Sequence, residues 1–145
     1  MTETGSEGKK DRVFRQCQGL FPEWAAMSFE DFVFDDPKGF SSFTMGIRSR
    51  KPAQPAALLY RHLDGKENAL LDFETEKKVF LTLSEHKIAT HCHYYDSTCR
   101  VEALYNGRTL TRQDLNEPDN LRQIANLLYR FHQLSPPGLP KQSFL

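Results

Sequence analysis

Alternation of apolar and polar residues marks the clearest strand in the chain. Phe43, Met45 and Ile47 are separated by Thr44 and Gly46, a spacing that places the three apolar side chains on one face of a strand. Shorter apolar runs predict further strands, and apolar residues three and four apart predict helices. In chain order the pattern predicts a helix over 11–20, strands at 32–34, 43–47 and 57–61, a helix over 68–85, strands at 91–95 and 99–105, and a helix over 118–134.

This order of elements predicts an α+β fold. Neighbouring strands joined by short turns pair as antiparallel hairpins, so we expect a mostly antiparallel sheet of about five strands. The helix over 68–85 is inserted between the third and fourth strands and is expected to back the sheet. The first and last helices flank this arrangement.

The two ends of the chain differ in composition from its middle. Residues 1–10 are rich in Gly, Ser, Glu and Lys, which predicts a disordered N-terminus. Residues 135–145 contain Pro136, Pro137 and Pro140 and are typical of a Pro-rich connector that cannot continue a helix. Residues 11–134 remain as one domain, a length that suits a single hydrophobic core.

Charge and cysteine content narrow the classes of function. The chain has 145 residues, and its 19 basic residues balance 19 acidic ones, which disfavours a nucleic-acid partner or a polybasic membrane surface. We find no apolar run near the ~20 residues that span a bilayer and no signal-peptide core in residues 1–10. Three cysteines, an odd and sparse number, indicate a reducing compartment, so we expect a cytoplasmic protein.

A carboxylate on the inserted helix is the first candidate for chemistry. Glu76 lies three residues after Phe73 and four before Phe80, which places it on the inward face of the helix. Burying a carboxylate costs folding free energy unless a nearby cation forms an ion pair with it. Arg61, at the end of the preceding strand, is the expected partner, although a solvated Glu76 at the rim of the apolar stripe fits the spacing equally well.

A glycine turn is the second candidate. In the segment Pro37-Lys38-Gly39-Phe40-Ser41-Ser42, a glycine and small hydroxyl residues join two strands. Backbone N–H groups in such a hairpin can point at phosphate oxygens. Most hairpins of this composition are only turns. The segment therefore indicates phosphate binding only in combination with the elements that follow it.

The order of these features resembles a known family. A glycine hairpin, then a strand with a cation, then a helix with a carboxylate is the arrangement of a kinase-type nucleotide lobe. Over residues 13–134 the sequence resembles the choline/ethanolamine kinases, with Ser42 where that family usually has Asn. The segments that carry the resemblance are Leu20-Phe21-Pro22-Glu23-Trp24, Gly39-Phe40-Ser41-Ser42-Phe43, Leu58-Leu59-Tyr60-Arg61 followed by Gly65, Glu74-Thr75-Glu76-Lys77-Lys78-Val79-Phe80, Arg100-Val101-Glu102-Ala103-Leu104-Tyr105, Gly107-Arg108-Thr109-Leu110, Ile124-Ala125 and Phe131-His132.

The resemblance implies a protein-kinase-like N-terminal lobe over residues 11–134 that binds ATP with Mg²⁺. The nucleotide-binding residues that it implies are Gly39, Ser41 and Ser42 over the phosphates, Arg61 on the phosphates with Glu76 as its ion-pair partner, and Ala103, Leu104 and Tyr105 at the adenine.

The resemblance also implies a reaction. Members of the family transfer a phosphoryl group from Mg-ATP to the hydroxyl of an amino alcohol, the first step of phospholipid head-group synthesis. The proton-accepting Asp, the Mg²⁺ ligands and the amino-alcohol pocket of the family belong to a helical C-terminal lobe. We therefore expect no catalytic residue in this chain. The alternative is a non-catalytic interaction or dimerisation module, and the resemblance allows a homodimer through this lobe.

Two other patterns compete with this interpretation. His62-Leu63-Asp64 with Asn68, followed by Asp72-Phe73-Glu74, resembles the family's catalytic loop and metal-binding triplet, but the Asn is expected at position 69, which is Ala. Too few residues separate the two segments for the strands that belong between them, so we reject this register. A metal site at His91, Cys92, His93 and Cys99 is also disfavoured, because adjacent strand residues point to opposite faces.

Overall fold

The computed structural model describes residues 5–39, 42–64 and 72–135. The elements, in chain order, are helix α1 (Ser6–Leu20), strands β1 (Phe32–Phe34), β2 (Phe43–Ser49) and β3 (Ala57–His62), helix α2 (Phe73–Glu85), strands β4 (Cys92–Tyr95) and β5 (Cys99–Ala103), and helix α3 (Pro118–His132). Short 3-10 turns occur at Pro22–Trp24, Phe29–Asp31 and Asp114–Asn116.

The five strands form one sheet in the order β1-β2-β3-β5-β4, and every pair is antiparallel. The predicted α+β class and the antiparallel sheet with an inserted helix are confirmed. The described residues fall into two compact units. The sheet unit comprises those of Met1–Lys66 and Cys92–Leu104, and the helical unit those of Glu67–His91 and Tyr105–Leu145.

The hydrophobic core of the sheet unit lies between α1 and one face of the sheet. Helix α1 contributes Val13, Phe14 and Cys17, which are all buried. Trp24 is fully buried in the same core, and its indole N–H donates to the carbonyl of Pro55 at 3.0 Å. On β1 the core residue is Phe32, and on β2, β3 and β5 the core residues alternate along their strands and are Phe43, Met45, Ile47, Leu58, Tyr60, Cys99 and Val101.

Helix α1 begins earlier than the composition predicts. The helix starts at Ser6, so the predicted disordered segment 1–10 is too long by residues 6–10, while residues 1–4 lie outside the described part. Glu and Lys have high helix propensity, and a helix whose first turns face solvent needs no apolar residues there. The exposed Glu7 forms an ion pair of 3.6 Å with Lys10, three residues further along the helix.

The other boundaries differ by a few residues. Helix α2 begins at Phe73 because Asp72 caps it, and residues 68–71 of the predicted helix lie outside the described part. Strand β5 ends at Ala103, two residues before the predicted end, and α3 ends at His132. The predicted connector is described only at Ser135. Among the described helices, none combines the length and apolar character needed to cross a membrane.

Candidate functional site

The sheet has a second face, opposite the core, and its polar residues fall in register across three strands. Thr44 of β2 pairs with Arg61 of β3, and Arg61 pairs with Arg100 of β5. Directly paired residues in an antiparallel sheet point to the same face, so these three side chains form one row. Thr44, the member of this row on β2, is two residues from Ser42, at the end of the glycine hairpin.

The glycine hairpin is closed by a reciprocal pair of backbone hydrogen bonds. Lys38 N donates to Thr44 O, and Thr44 N donates to Lys38 O, each at 3.0 Å. Gly39 has φ of +109°, and a Cβ built on it would stand 2.2 Å from the carbonyl oxygen of Ser42. Both facts require glycine at position 39. Ser42 is exposed, whereas Ser41 lies outside the described residues, so its predicted phosphate contact stays a prediction.

Arg61 is held by a buried carboxylate on the neighbouring strand. Its Nε donates to Oε1 of Glu102 at 2.6 Å. The Glu102 side chain is only 5% exposed, and that of Arg61 is 37% exposed. A guanidinium has five N–H groups, and this bond uses the one on Nε. The cation is therefore anchored at its inner end while its outer end borders solvent.

Arg100 holds the same carboxylate from the other side. Its Nε also donates to Glu102 Oε1 at 2.6 Å, and its side chain is 14% exposed. The Arg100 guanidinium lies over the ring of Tyr95, 5.2 Å from the ring centre, a cation–π distance. Arg100 is thus the more deeply packed of the two cations that contact Glu102.

The predicted partner of Arg61 lies in the other unit. Glu76 occupies the first turn of α2 and is half-buried, as are Phe73 and Phe80 on either side of it. Since Arg61 belongs to the sheet unit and Glu76 to the helical unit, their pairing stays a prediction.

The predicted adenine-binding segment begins where β5 ends. Ala103 is the last residue of β5 and pairs with Leu58. Leu104 packs close to Gly46: its Cδ2 is 3.4 Å from the position that a Cβ on Gly46 would occupy. Tyr105 is exposed and is the first residue of the second segment of the helical unit. The role of the three residues in binding adenine stays a prediction.

Two residues of the rejected catalytic alignment, Asp72 and His62, have local structural contacts. Asp72 caps α2, accepting hydrogen bonds from the backbone N and the Oγ1 of Thr75, each at 2.8 Å. These bonds, the backbone one first, lower the pKa of Asp72. His62 lies on β3, where its ring stacks on Phe43 at 5.1 Å, and burial lowers its pKa. Within 5–39, 42–64 and 72–135, no three His, Cys, Asp or Glu side chains form a group that could hold a metal ion.

The Cys and His residues of β4 and β5 have other neighbours. Cys99 is buried in the core, where Gln16 Nε2 approaches its Sγ at 3.1 Å. The ring of His93 packs edge-on against Phe21, with the ring centres 5.6 Å apart. These contacts are those of a strand packed into a core.

Sequence reasoning did not identify Glu102 or Arg100 as members of the site. A signal was present, because Arg100 and Glu102 are two residues apart in a short strand and so share a face. Using that signal requires knowing that β5 pairs with β3 rather than only with its hairpin partner β4. Without that pairing, nothing in the sequence places Glu102 beside Arg61.

The fold is similar to that of solved kinases. A choline kinase from Cryptosporidium parvum Iowa II has a TM-score of 0.73 at 16% identity, and the match covers 91% of this chain and 37% of that one. A Plasmodium vivax ethanolamine kinase has a TM-score of 0.56 at 19% identity, covering 90% of this chain and 40% of that one. The chain therefore spans about two fifths of the length of these relatives.

The sequence defines the family more closely than the fold does. The family model of the choline/ethanolamine kinases matches residues 38–145, which include the glycine hairpin, Arg61, Glu76 and Glu102. The chain belongs to the choline/ethanolamine kinase family. No curated protein sequence matches the chain significantly.

Proposed function

We propose that this chain is the N-terminal, ATP-binding lobe of a choline/ethanolamine-type kinase. The observation that carries the proposal is the placement of Arg61. Arg61 pairs directly with Thr44, the residue whose backbone closes the glycine hairpin, and a buried carboxylate fixes its Nε. A partly exposed, fixed cation next to a glycine hairpin is suited to binding phosphate oxygens.

Each part of the nucleotide has a proposed contact. Arg61 binds phosphate oxygens, and the backbone of residues 39–42 covers the phosphates. The backbone of residues 103–105 hydrogen-bonds the edge of the adenine. Glu76 is the proposed ion-pair partner of Arg61, as the family resemblance implies. The family membership and the register of β2, β3 and β5 support this assignment.

The proposed reaction is transfer of the γ-phosphoryl group of ATP to an amino alcohol. The bond between the γ-phosphorus and the β–γ bridging oxygen breaks, a bond from the hydroxyl oxygen to phosphorus forms, and the hydroxyl proton passes to a base. Mg²⁺ neutralises charge on the phosphates in such transfers. We assign neither the base nor the Mg²⁺ ligands to this chain. The product would feed phospholipid head-group synthesis in the cytoplasm.

Calorimetric titration of ATP into the full chain tests the proposal. We expect saturable binding that weakens about 10-fold or more in Arg61→Ala, because a hydrogen bond to a charged group contributes ~1.5–3 kcal/mol. Arg15→Ala is the matched control, since Arg15 pairs with Asp11 on the exposed face of α1. Equal affinities of the two variants for ATP would contradict the role of Arg61, and an absence of saturable binding by the unaltered chain would contradict the function.

One observation favours a second candidate function, an interaction or dimerisation module. Helix α3 exposes several large apolar residues, namely Leu121, Leu127, Leu128, Tyr129 and Phe131. Exposed apolar patches of this kind often mark interaction surfaces. A dimer on a sizing column that Leu128→Glu converts to monomer, with no effect of ATP on either form, would favour this function.

A further inference from the structure

Glu102 is a buried charged residue on the polar face of the sheet. Arg61 and Arg100 occupy directly paired positions on neighbouring strands, so their side chains start from the same face. Like charges directly opposite each other repel, and each of these two guanidiniums would be expected to turn away from the other. The fold therefore needs an anion between them.

Glu102 supplies that anion. It lies two residues beyond Arg100 on β5, on the same face, and a single oxygen, Oε1, accepts from both Nε atoms at 2.6 Å. Bonds of this length between ions are the short, charge-assisted kind. The carboxylate thus fixes the plane of each guanidinium as well as balancing charge.

The two cations are not equivalent in this arrangement. Arg100 is 14% exposed and lies over Tyr95, whereas Arg61 is 37% exposed. The bond to Glu102 uses the Nε–H of Arg61 and not the N–H groups of its two terminal nitrogens. A ligand can reach those terminal groups while the carboxylate holds Nε from the inner side.

We propose that Glu102 is the positioning residue for the phosphate-binding Arg61, with Arg100 countering part of the carboxylate's charge so that Arg61 remains available to an anion. The proposal rests on the proposed function, and it adds a residue that acts from the sheet itself. Glu102 does not touch the nucleotide in this scheme and acts only through Arg61.

The test is a double-mutant cycle on ligands with and without phosphate. ATP and adenosine are titrated into the unaltered chain, Glu102→Gln, Arg61→Ala and the double variant, with amide NMR shifts as the readout. Gln keeps the size of Glu and one acceptor oxygen but removes the charge. We expect Glu102→Gln to weaken ATP binding about 5-fold or more and to change adenosine binding less than about 2-fold. Combined with Arg61→Ala, it should weaken ATP binding no further, because the two residues act as one unit.

Asp11→Asn provides the matched control. Asp11 also accepts from an arginine Nε, that of Arg15 at 2.9 Å, but on the exposed face of α1. We expect this variant to leave the affinities for ATP and adenosine unchanged. A purely structural role for Glu102 predicts equal weakening of ATP and adenosine, or a loss that adds to that of Arg61→Ala, and either result would overturn the proposal.

A measurement on the unaltered chain covers the case in which Glu102→Gln does not fold. The Nε–H of Arg61 should exchange slowly with solvent and keep its NMR signal while saturating ATP shifts the signals of its terminal nitrogens. Fast exchange of that proton in the presence of ATP would overturn the positioning role alone. Absence of saturable ATP binding would overturn the proposed function, and the proposal with it.

Discussion

Helices α1 and α3 have the same length, 15 residues each, but use their apolar residues in opposite ways. In α1, Phe14 is 5% exposed and packs into an aromatic cluster of the sheet unit. In α3, Phe131 is 44% exposed, and no residue of this helix is fully buried in the described part of the chain. One helix therefore completes a core, and the other presents a surface.

This difference suggests that α1 contributes mainly to the stability of the fold, whereas the apolar face of α3 is available for interactions. Burial of apolar area is the main source of folding free energy, so α1 belongs to what holds the sheet in place. An amphipathic helix with an exposed apolar stripe gains little from folding by itself. The contrast predicts that similar substitutions in α1 and α3 have very different costs.

The largest contrast is expected at the two phenylalanines. Phe14→Ala removes a ring that contacts Phe29, Phe32 and Phe34, with ring centres 5.3–6.2 Å apart. We expect it to lower the free energy of unfolding by about 3–5 kcal/mol, the usual cost of such a cavity. Phe131→Ala should cost less than about 1 kcal/mol because the ring is already half-solvated.

Urea unfolding measures both variants, with Trp24 fluorescence reporting on the sheet unit and circular dichroism on helix content. Trp24 is fully buried in the core, so its emission responds when α1 leaves the sheet. A loss in Phe131→Ala as large as that in Phe14→Ala would show that the α3 surface is covered in solution.

The sequence could predict the local part of this picture. The alternation of Phe43, Met45 and Ile47 predicts the strand and its buried face, because the period of two is a property of the strand itself. The apolar stripe on α3 is equally local, because Leu121, Leu128 and Phe131 are seven and three residues apart and therefore lie on one side of the helix. Whether such a face is buried depends on packing against other parts of the molecule, which local sequence does not determine. Helix α3 shows that an apolar face need not be buried.

The non-local part could not be predicted in the same way. The partner of Arg61 in the sheet depends on β3 pairing with β5, across the inserted helix, in a particular register. A shift of one residue would turn Glu102 to the opposite face. The spacing of Glu76 was informative about its helix but carried no information about a carboxylate on another strand.

The next contrast is between two turn aspartates, one in each unit. In Asp96, burial raises the pKa, but hydrogen bonds from the Thr98 hydroxyl, the backbone N–H groups of Cys99 and Thr98, and the Tyr94 hydroxyl outweigh it and lower the pKa to about 2. In Asp114, hydrogen bonds from two terminal nitrogens of Arg108, at 2.6 and 2.9 Å, and bonds from Thr111 lower the pKa of the carboxyl.

The pH dependence of Asp96 follows from the direction of its shift. A lowered pKa means that the ionised group stabilises the fold above its usual pKa of 3.8, and that this contribution disappears as the pH falls toward 2. We expect Asp96→Asn to cost roughly 2 kcal/mol at pH 7 and almost nothing at pH 2, measured by urea unfolding with Trp24 emission.

Asp114→Asn is the comparison variant for this experiment. Because Asp114 lies in the helical unit, we expect it to change the circular dichroism of that unit and to leave the Trp24 transition unaltered. A cost of Asp96→Asn that does not change with pH would contradict an ionic origin of its stabilisation.

The smallest contrast is between two tyrosines. Tyr60 is buried, and its hydroxyl donates to Gln16 Oε1 at 2.6 Å, which links β3 to α1. Burial raises its pKa, so the phenol stays protonated and able to donate at neutral pH. Tyr60→Phe removes this donor without changing the packing and should cost about 1 kcal/mol, because a buried acceptor loses its partner.

Tyr129 of α3 is exposed, so Tyr129→Phe should cost nothing measurable, since water already solvates its hydroxyl. Equal midpoints for the two variants in urea would show that the Gln16 bond contributes nothing to holding α1 on the sheet, and burial of apolar area alone would then distinguish α1 from α3.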